Sequence, residues 1–402
     1  MFFNDNILLC GFFAPPCFDI QNSIYKDGNM SELKEKIIWE PFEKMEQFMI
    51  DIFVKEGVPE ADAKICAEVL IEADKRGVDS HGVGRFKPIY IDRIRAGILN
   101  PVTNIEVVRE TMTTAVLDGH NGMGHVIGKY AMQMAIDKAK KTGMGMVAVR
   151  NSTHFGIAGY YPIMAAKEDM IGFVGTNARP SIAPTFGVEN MMGTNPLVFG
   201  IPTDEPFVFV TDYATSITQR GKIETLEREG KPIPEGWVID EKGNTRTDPT
   251  EVLKELEAGT CALLPVGSAA GDNASYKGYG YSVVVEVLSA ALQAGSYLKM
   301  LSGHGPGGER TPIHIGHFFM AIDINAFIEA EKFKATTGDI MRTLRASKKA
   351  PGHDRIFTAG EKEYLYWLEN KDKGVPLNTA MQKTVAELRD EYALPYTFGF
   401  DE

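Results

Sequence analysis

Cysteine is scarce in this chain: four among 402 residues, at Cys10, Cys17, Cys66 and Cys261, with no Cys-x-x-Cys pair and no His/Cys cluster. That scatter excludes a disulfide framework and a structural zinc site, and it suits the reduced thiols of a cytoplasmic protein. Long hydrophobic runs are missing too. No stretch reaches the roughly 18 consecutive apolar residues of a bilayer-spanning helix, so no membrane span is expected. Positive charge is in deficit, with 42 Lys and Arg against 54 Asp and Glu, a formal net charge of −12. Such a surface offers no footprint for nucleic acid or anionic lipid. It also repels small acids, so an acidic substrate would need a local cationic site. P-loop, HExxH, GxSxG and EF-hand motifs are absent, as are internal repeats.

The apolar stretch Ile7–Pro16 has no Lys or Arg before it and ends on Pro15-Pro16, which argues against a secretory signal. Residues 1–37 are therefore expected to be a flexible extension, with Met30 as an alternative start.

What remains is ordinary globular material, 44% hydrophobic and 24% charged, with enough length for two or three packed subdomains. Phe42, Met45, Phe48, Met49 and Phe53 repeat at helical spacing, as do Ala63, Cys66, Val69, Leu70 and Ala73. A third helix is expected from Ser80 to Gly97, kinked at Pro88. The pattern then predicts paired strands over 102–110 and 113–118, a helix over 124–142, and a strand-helix-strand unit over 146–150, 156–167 and 171–176. A hairpin is expected over 197–211, a helix over 278–294, a strand over 317–323 and a helix over 377–393. Together these suggest a helical domain made from both chain ends (38–110 and 331–402) with a mixed α/β domain, 111–330, inserted between them. The charged, Gly/Pro-rich segment 223–260 reads as a surface excursion from the inserted domain.

Three segments carry candidate chemistry. In Asp79-Ser-His-Gly-Val-Gly-Arg85, Ser80 suits a helix N-cap, and His81 and Arg85 would then lie one turn apart on one face. An imidazole beside a guanidinium is the equipment for a 2-hydroxy acid: Arg holds the carboxylate and His exchanges the hydroxyl proton. The bland alternative is a capping histidine and a solvated arginine. His154 follows a strand in the exit loop Asn151–Gly156, where a proton-transfer role and a cofactor contact are both open. Asp212 ends an apolar strand, so its carboxylate needs a partner; a histidine it orients is one, and a local turn through Thr215 or Ser216 is the other. Lys277 opens a helix and could meet a phosphate or carboxylate. Gly303–Gly308 fits GxGxxG only in letters, lacking the preceding strand and following helix of a dinucleotide fingerprint. A hydrolase triad of Ser80, His81 and Asp212 is disfavoured, because adjacent residues rarely place Ser and His side chains for attack.

The segments Arg76–Arg85, Gly97–Pro101, Asn151–Gly156, Asp212–Ser216, Tyr276–Gly280 and Gly316–Asp323 resemble, in order, the motifs of one family. It is the malate/L-lactate dehydrogenase type, which includes ureidoglycolate dehydrogenase, sulfolactate dehydrogenase and piperideine-2-carboxylate reductase. It is distinct from the Rossmann-type lactate and malate dehydrogenases. The resemblance spans residues 40–395. It implies a non-Rossmann α/β fold, NAD or NADP bound in the central domain, a small 2-hydroxy or 2-oxo acid as substrate, no metal, and a homodimer. By motif position, Ser80, His81 and Asp212 resemble a proton-relay set and Arg85 a substrate-carboxylate ligand. His154 matches a residue read as either base or cofactor neighbour. Thr176, Asn177, Ala214, Thr215, Ser216, Lys277 and Gly278 would face cofactor or substrate, and Arg310 is a further basic match on the substrate side. The extension, the 223–260 excursion and Phe357–Glu361 depart from the pattern. Reduction of a cyclic 2-imino acid, and nucleotide binding without catalysis, are the competing readings.

Overall fold

The computed structural model describes residues 36–269 and 272–401, so Cys10, Cys17 and nearly all of the expected extension lie outside the described residues. β1 (Ile38–Glu40) leads into α1 (Phe42–Lys55) and α2 (Glu60–Lys75), and the apolar periodicity of both helices is buried. The expected third helix is broken. It becomes a 3-10 turn (Asp79–His81), a single turn α3 (Val83–Arg85), a π-type stretch (Phe86–Ile91) and a last turn α4 (Asp92–Arg95).

Two causes lie in the chain. Gly82 adopts φ −90, ψ −144, outside the helical region, and the buried Asp74 carboxylate accepts the Val83 N–H at 2.9 Å. A Cβ on Gly82 would stand 2.0 Å from Asp74 Oδ1, so only glycine permits this approach. Pro88 then removes one amide from the ladder, and the wider π register follows.

β2 (Glu106–Glu110) and β3 (Thr114–Asp118) form the expected pair. α5 (Gly124–Thr142) ends at Gly143 in the left-handed region, as helices commonly do. β4 (Met144–Ser152), α6 (Tyr160–Ala166) and β5 (Met170–Thr176) follow, then the hairpin β6 (Leu197–Ile201) and β7 (Phe209–Thr211). The 223–260 segment is more than a surface excursion. α7 (Arg220–Arg228), β8 (Val238–Asp240), α8 (Pro249–Ala258) and β9 (Cys261–Leu263) close around a small core of Ile223, Leu226, Ile233, Val238 and Val252, shared with Ile182 and Met192 from the chain after β5. The chain continues through β10 (Ser268–Ala269), β11 (Asp272–Asn273), α9 (Tyr276–Ala290), β12 (Ile315–Asp323), α10 (Ala330–Ala346), α11 (Glu361–Asn370), β13 (Val375–Leu377) and α12 (Thr379–Glu391).

The seven-stranded sheet runs in the order β2-β3-β4-β12-β5-β6-β7. β3 and β4 are parallel, and every other pairing is antiparallel. β12 lies between β4 and β5, antiparallel to both, which parts the two strands of the expected strand-helix-strand unit. One buried cluster joins α1, α2 and the 83–99 segment to Val375, Leu377, Val385, Leu388 and Phe398 near the far end of the chain. A second sits between the sheet and α5, with Leu117, Ile127, Ala135, Val147, Val174 and Phe319. β2 belongs to that sheet, so residues 106–110 pair with the central layer. Among the described residues no helix is long and apolar enough to cross a membrane.

Candidate active site

Three neighbouring strand ends meet at the middle of the sheet. β4 leaves at Ser152, β5 leaves at Thr176, and β12 enters at Ile315; Ile315 is paired with Ser152, and His317 with Thr176. These ends help line a cleft of about 670 Å³, within the range of small-molecule sites. His81, His154, Thr176, Asn177, Asp212, Ala214 and Ser216 all border it. Ser80, Arg85, Thr215, Lys277, Gly278 and Arg310 do not.

The two histidine rings face each other, with centroids 5.5 Å apart and planes 20° from parallel. His81 Nδ1 is 2.9 Å from Ser80 Oγ, so Ser80 bonds its neighbour instead of capping a helix. Burial, with Arg85 beside the ring, pulls the His81 pKa down to about 4. His154 Nδ1 lies 2.6 Å from the Tyr90 hydroxyl and accepts the Gly156 N–H at 3.3 Å. Burial first, and then His81, His125, Arg93 and Arg85, hold its pKa well below the ordinary value. Both imidazoles are therefore neutral at pH 7.

Their tautomers differ in freedom. A backbone N–H must donate, so Gly156 makes His154 Nδ1 an acceptor and leaves the ring proton on Nε2. The Ser80 hydroxyl either donates or accepts, so His81 is free to hold its proton on Nδ1 or Nε2. Neither Nε2 has a partner among the described residues, and neither is sealed from solvent.

Asp212 does not orient a histidine here. Its Oδ2 accepts the Gly159 N–H at 2.8 Å, and a Cβ on Gly159 would come within 2.7 Å of that oxygen. It follows β7 at the far edge of the sheet, and Ser80 already occupies His81 Nδ1. The Asp212 side chain is open to the cleft. Even so, the surrounding protein pushes its pKa up to about 6, and Gly159 N–H and Arg76 only partly oppose that rise.

Arg85 also departs from the one-turn geometry expected with His81. Its Nε donates to the Ser80 carbonyl at 2.7 Å, and Nη2 is 3.9 Å from Glu224. Asn177 commits both ends of its amide to the backbone: Nδ2 donates to the Ser296 carbonyl at 3.0 Å and Oδ1 accepts the Gly316 N–H at 2.8 Å. It braces the cleft mouth and has little left for a substrate. Thr215 Oγ1 donates to the Thr194 and Asn195 carbonyls, and Ser216 Oγ to the Thr218 carbonyl. Lys277 is exposed with its ammonium 5.8 Å from the Tyr276 ring, and Gly278 lies tight against Val266.

Four contributors escaped the sequence reading. Tyr90, fully buried, holds His154. His317, also fully buried, stacks on Phe155 at 4.3 Å and bonds Thr176 Oγ1 and Ser152 Oγ at 2.7 and 2.8 Å. Asp74 fixes the turn after His81. Lys222 lines the cleft from the first turn of α7. Tyr90 and His317 look like core residues in sequence, and the value of Asp74 comes from a tertiary contact.

Known proteins reproduce this architecture. The malate/L-lactate dehydrogenase family model matches residues 41–386. A malate dehydrogenase of Pyrococcus horikoshii is 43% identical over 357 residues, covering 89% of this chain and 95% of the relative. An L-sulfolactate dehydrogenase of Methanocaldococcus jannaschii is 38% identical over 88% of this chain and 96% of its own length. The crystal structure of malate dehydrogenase from Entamoeba histolytica superposes with a TM-score of 0.87 at 44% identity, covering 90% of this chain and 100% of that one.

Proposed function

This chain belongs to the malate/L-lactate dehydrogenase family, and on that premise we propose that it interconverts a small 2-hydroxy acid and its 2-oxo acid using NAD or NADP. The observation that carries this reading is the pair of neutral histidines in one cleft, each with Nδ1 engaged and Nε2 open. In the oxidation direction, His81 with its proton on Nδ1, donated to Ser80 Oγ, has a free Nε2 lone pair to take the hydroxyl proton. His154, locked as the Nε2–H tautomer, donates to the same oxygen and stabilises it as the carbonyl forms. Arg85, beside the His81 ring but behind the lining of the cleft, is the candidate for the adjacent carboxylate, which it would reach through its outer nitrogens once Glu224 gives way. Asp212, with a pKa of about 6 at the cleft surface, is a nearby store for the released proton.

A nicotinamide, when bound, supplies the hydride acceptor or donor. The residues present suit such a cofactor. α7 begins at the cleft without a side-chain cap or an acidic residue in its first turn, and it brings Lys222 there. Thr218 Oγ1, also bordering the cleft, is buried without a partner. A helix N-terminus without a side-chain cap, a lysine and an orphan hydroxyl would make a receptor for a diphosphate. Thr176, Ala214 and Ser216 would line the rest of the cofactor path. In this reading the sheet layer carries the cofactor, and the helical layer supplies Ser80, His81 and Arg85.

A homodimer has a candidate face in α9, where Tyr281, Val284 and Val287 are 60%, 47% and 51% exposed. Light scattering of the full chain checks this, with twice the chain mass expected.

The deciding experiment follows NADH and NADPH oxidation with oxaloacetate, pyruvate and sulfopyruvate. Turnover of at least one is expected. Cofactor binding without turnover of any would leave a nucleotide-binding protein and refute the dehydrogenase.

A further inference from the structure

The candidate ligand for the substrate carboxylate is covered by the chain itself. Arg85 Nε donates to the Ser80 carbonyl at 2.7 Å, which fixes the guanidinium and leaves its outer nitrogens for an anion. The first turn of α7 sits against them. A Cβ on Gly221 would stand 3.5 Å from the Ser80 Cβ and 3.7 Å from Arg85 Nη2. Glu224, one turn further along α7, brings a carboxylate oxygen to 3.9 Å from the same Nη2. Among the described residues it is the one carboxylate in ion-pair reach of Arg85.

Glu224 is shared between two arginines. Its other oxygen accepts from Arg220 Nε at 3.0 Å, four residues back on the helix. The two contacts are unequal: a hydrogen bond on the Arg220 side, and a separation too long for one on the Arg85 side. Taking a carboxylate from an arginine is costly when either charge is left alone, and cheap when a second cation keeps the carboxylate. Arg220 is that second cation.

We infer that Glu224 is a placeholder for the substrate carboxylate. It balances Arg85 in the free enzyme, gives way to an incoming acid and withdraws to Arg220. Only an anion can make the exchange, because a neutral ligand would leave Arg85 without a counter-charge. Glu224 therefore sets how tightly the site takes an acid, and it helps to refuse uncharged ketones and alcohols of the same shape. An ordinary surface ion pair is the competing account, and it predicts no effect on ligand binding.

The inference rests on the reading of Arg85 as the carboxylate ligand, and the test separates the two. Oxamate, a 2-oxo acid isostere whose amide carbonyl resists hydride, is titrated calorimetrically into the full chain with NADH present. Glu224→Gln should lower its Kd roughly 2- to 5-fold, the factor that a partly exposed ion pair is worth. Arg220→Gln should raise it by a similar factor, since Glu224 then has Arg85 alone. The double variant should match Glu224→Gln, because Arg220 acts through Glu224. Glu227→Gln, on the same helix, should leave the Kd unchanged, which separates a contact from the general field of one charge. Arg220 and Glu227 are exposed and Glu224 partly so, so the fold should tolerate these changes.

An unchanged or higher Kd in Glu224→Gln overturns the inference, as does an equal fall in Glu227→Gln or a rise in the double variant. Arg85→Gln tests the premise and should weaken oxamate roughly 10- to 150-fold, the range for losing a hydrogen bond to a charged group. If it binds oxamate as wild type does, or if wild type does not bind oxamate, the Arg85 assignment falls and the placeholder with it. If Arg85→Gln loses binding and Glu224→Gln gains none, the placeholder alone falls. Turnover is scored separately: without it the dehydrogenase reading falls, and the oxamate titrations still decide the placeholder.

Discussion

The two walls of the cleft are built by opposite means. The sheet wall, where β4, β5 and β12 end, is held by a regular ladder, and its histidine is saturated: both nitrogens of His317 meet hydroxyls. The wall over residues 79–95 is a broken helix held by single side-chain contacts, namely Asp74 on Val83, Ser80 on His81, Arg85 on the Ser80 carbonyl and Tyr90 on His154. A saturated imidazole is a brace, because exchanging its proton would break a bond already made. An imidazole with one engaged and one open nitrogen is poised to transfer a proton. Chemistry therefore gathers where the irregular wall meets the loop after β4, and stability belongs to the regular ladder.

The largest effect that could break this comparison is His81→Asn. It should lower kcat by about 10²- to 10⁴-fold, the usual worth of a positioned acid or base, while the cofactor still binds. His154→Asn removes an oxygen donor from the same site and should cost less. If His154→Asn is the more damaging, the base and the donor exchange roles.

Next in size is the response to acid. Burial drives His125 and His317 to about 3 and His81 to about 4, all below the ordinary 6.5 of an unfolded histidine. The unfolded chain therefore takes up protons between pH 6.5 and those values while the folded chain does not. These histidines contribute stability that is fully present above pH 6.5 and is lost as pH falls toward 3–4. Unfolding free energies from urea titrations should fall over that window, by about 1.4 kcal/mol per pH unit for each group at the steepest point. His317→Gln should flatten the slope; an unaltered slope would mean that the ring is protonated in the fold.

His317→Leu separates brace from catalyst more directly. It leaves the Thr176 and Ser152 hydroxyls without their buried partner and should cost about 1–3 kcal/mol in denaturant unfolding. KM and kcat should move far less than in His81→Asn.

The same contrast explains what the sequence made legible. β4, β5 and β12 have the apolar pattern of strands, and the sequence boundaries 146–150, 171–176 and 317–323 each fall within the observed elements. The insertion of β12 between β4 and β5 was hidden, because pairing across about 140 to 180 residues leaves no local pattern. The motif residues His81, in the irregular wall, and His154, in the loop after β4, were legible as chemistry, and both border the cleft. Their geometry was not, since helical spacing placed Arg85 one turn from His81, and a carboxylate from α2 broke that helix. Tyr90 was invisible for a related reason: a tyrosine in an apparent helix looks like core until the helix is interrupted.

Asp74 gives the smallest effect and the sharpest test of how the irregular wall is held. It never touches the cleft; it acts on His81 through the Val83 amide, as a helix cap does. Asp74→Ala leaves that buried N–H unpaired and should cost about 1 kcal/mol of stability, the usual worth of a cap. It should also lower kcat, by loosening the turn that sets the His81 ring. Asp74→Asn keeps an oxygen that accepts the same N–H. Burial raises the native acid to about 8, so a neutral amide matches its state at pH 7. The Asn variant should therefore restore both stability and kcat near neutral pH. A general structural lesion would lower kcat in both variants. If Asn fails as Ala does, the negative charge matters more than the hydrogen bond, and Asp74 acts on the site by its field.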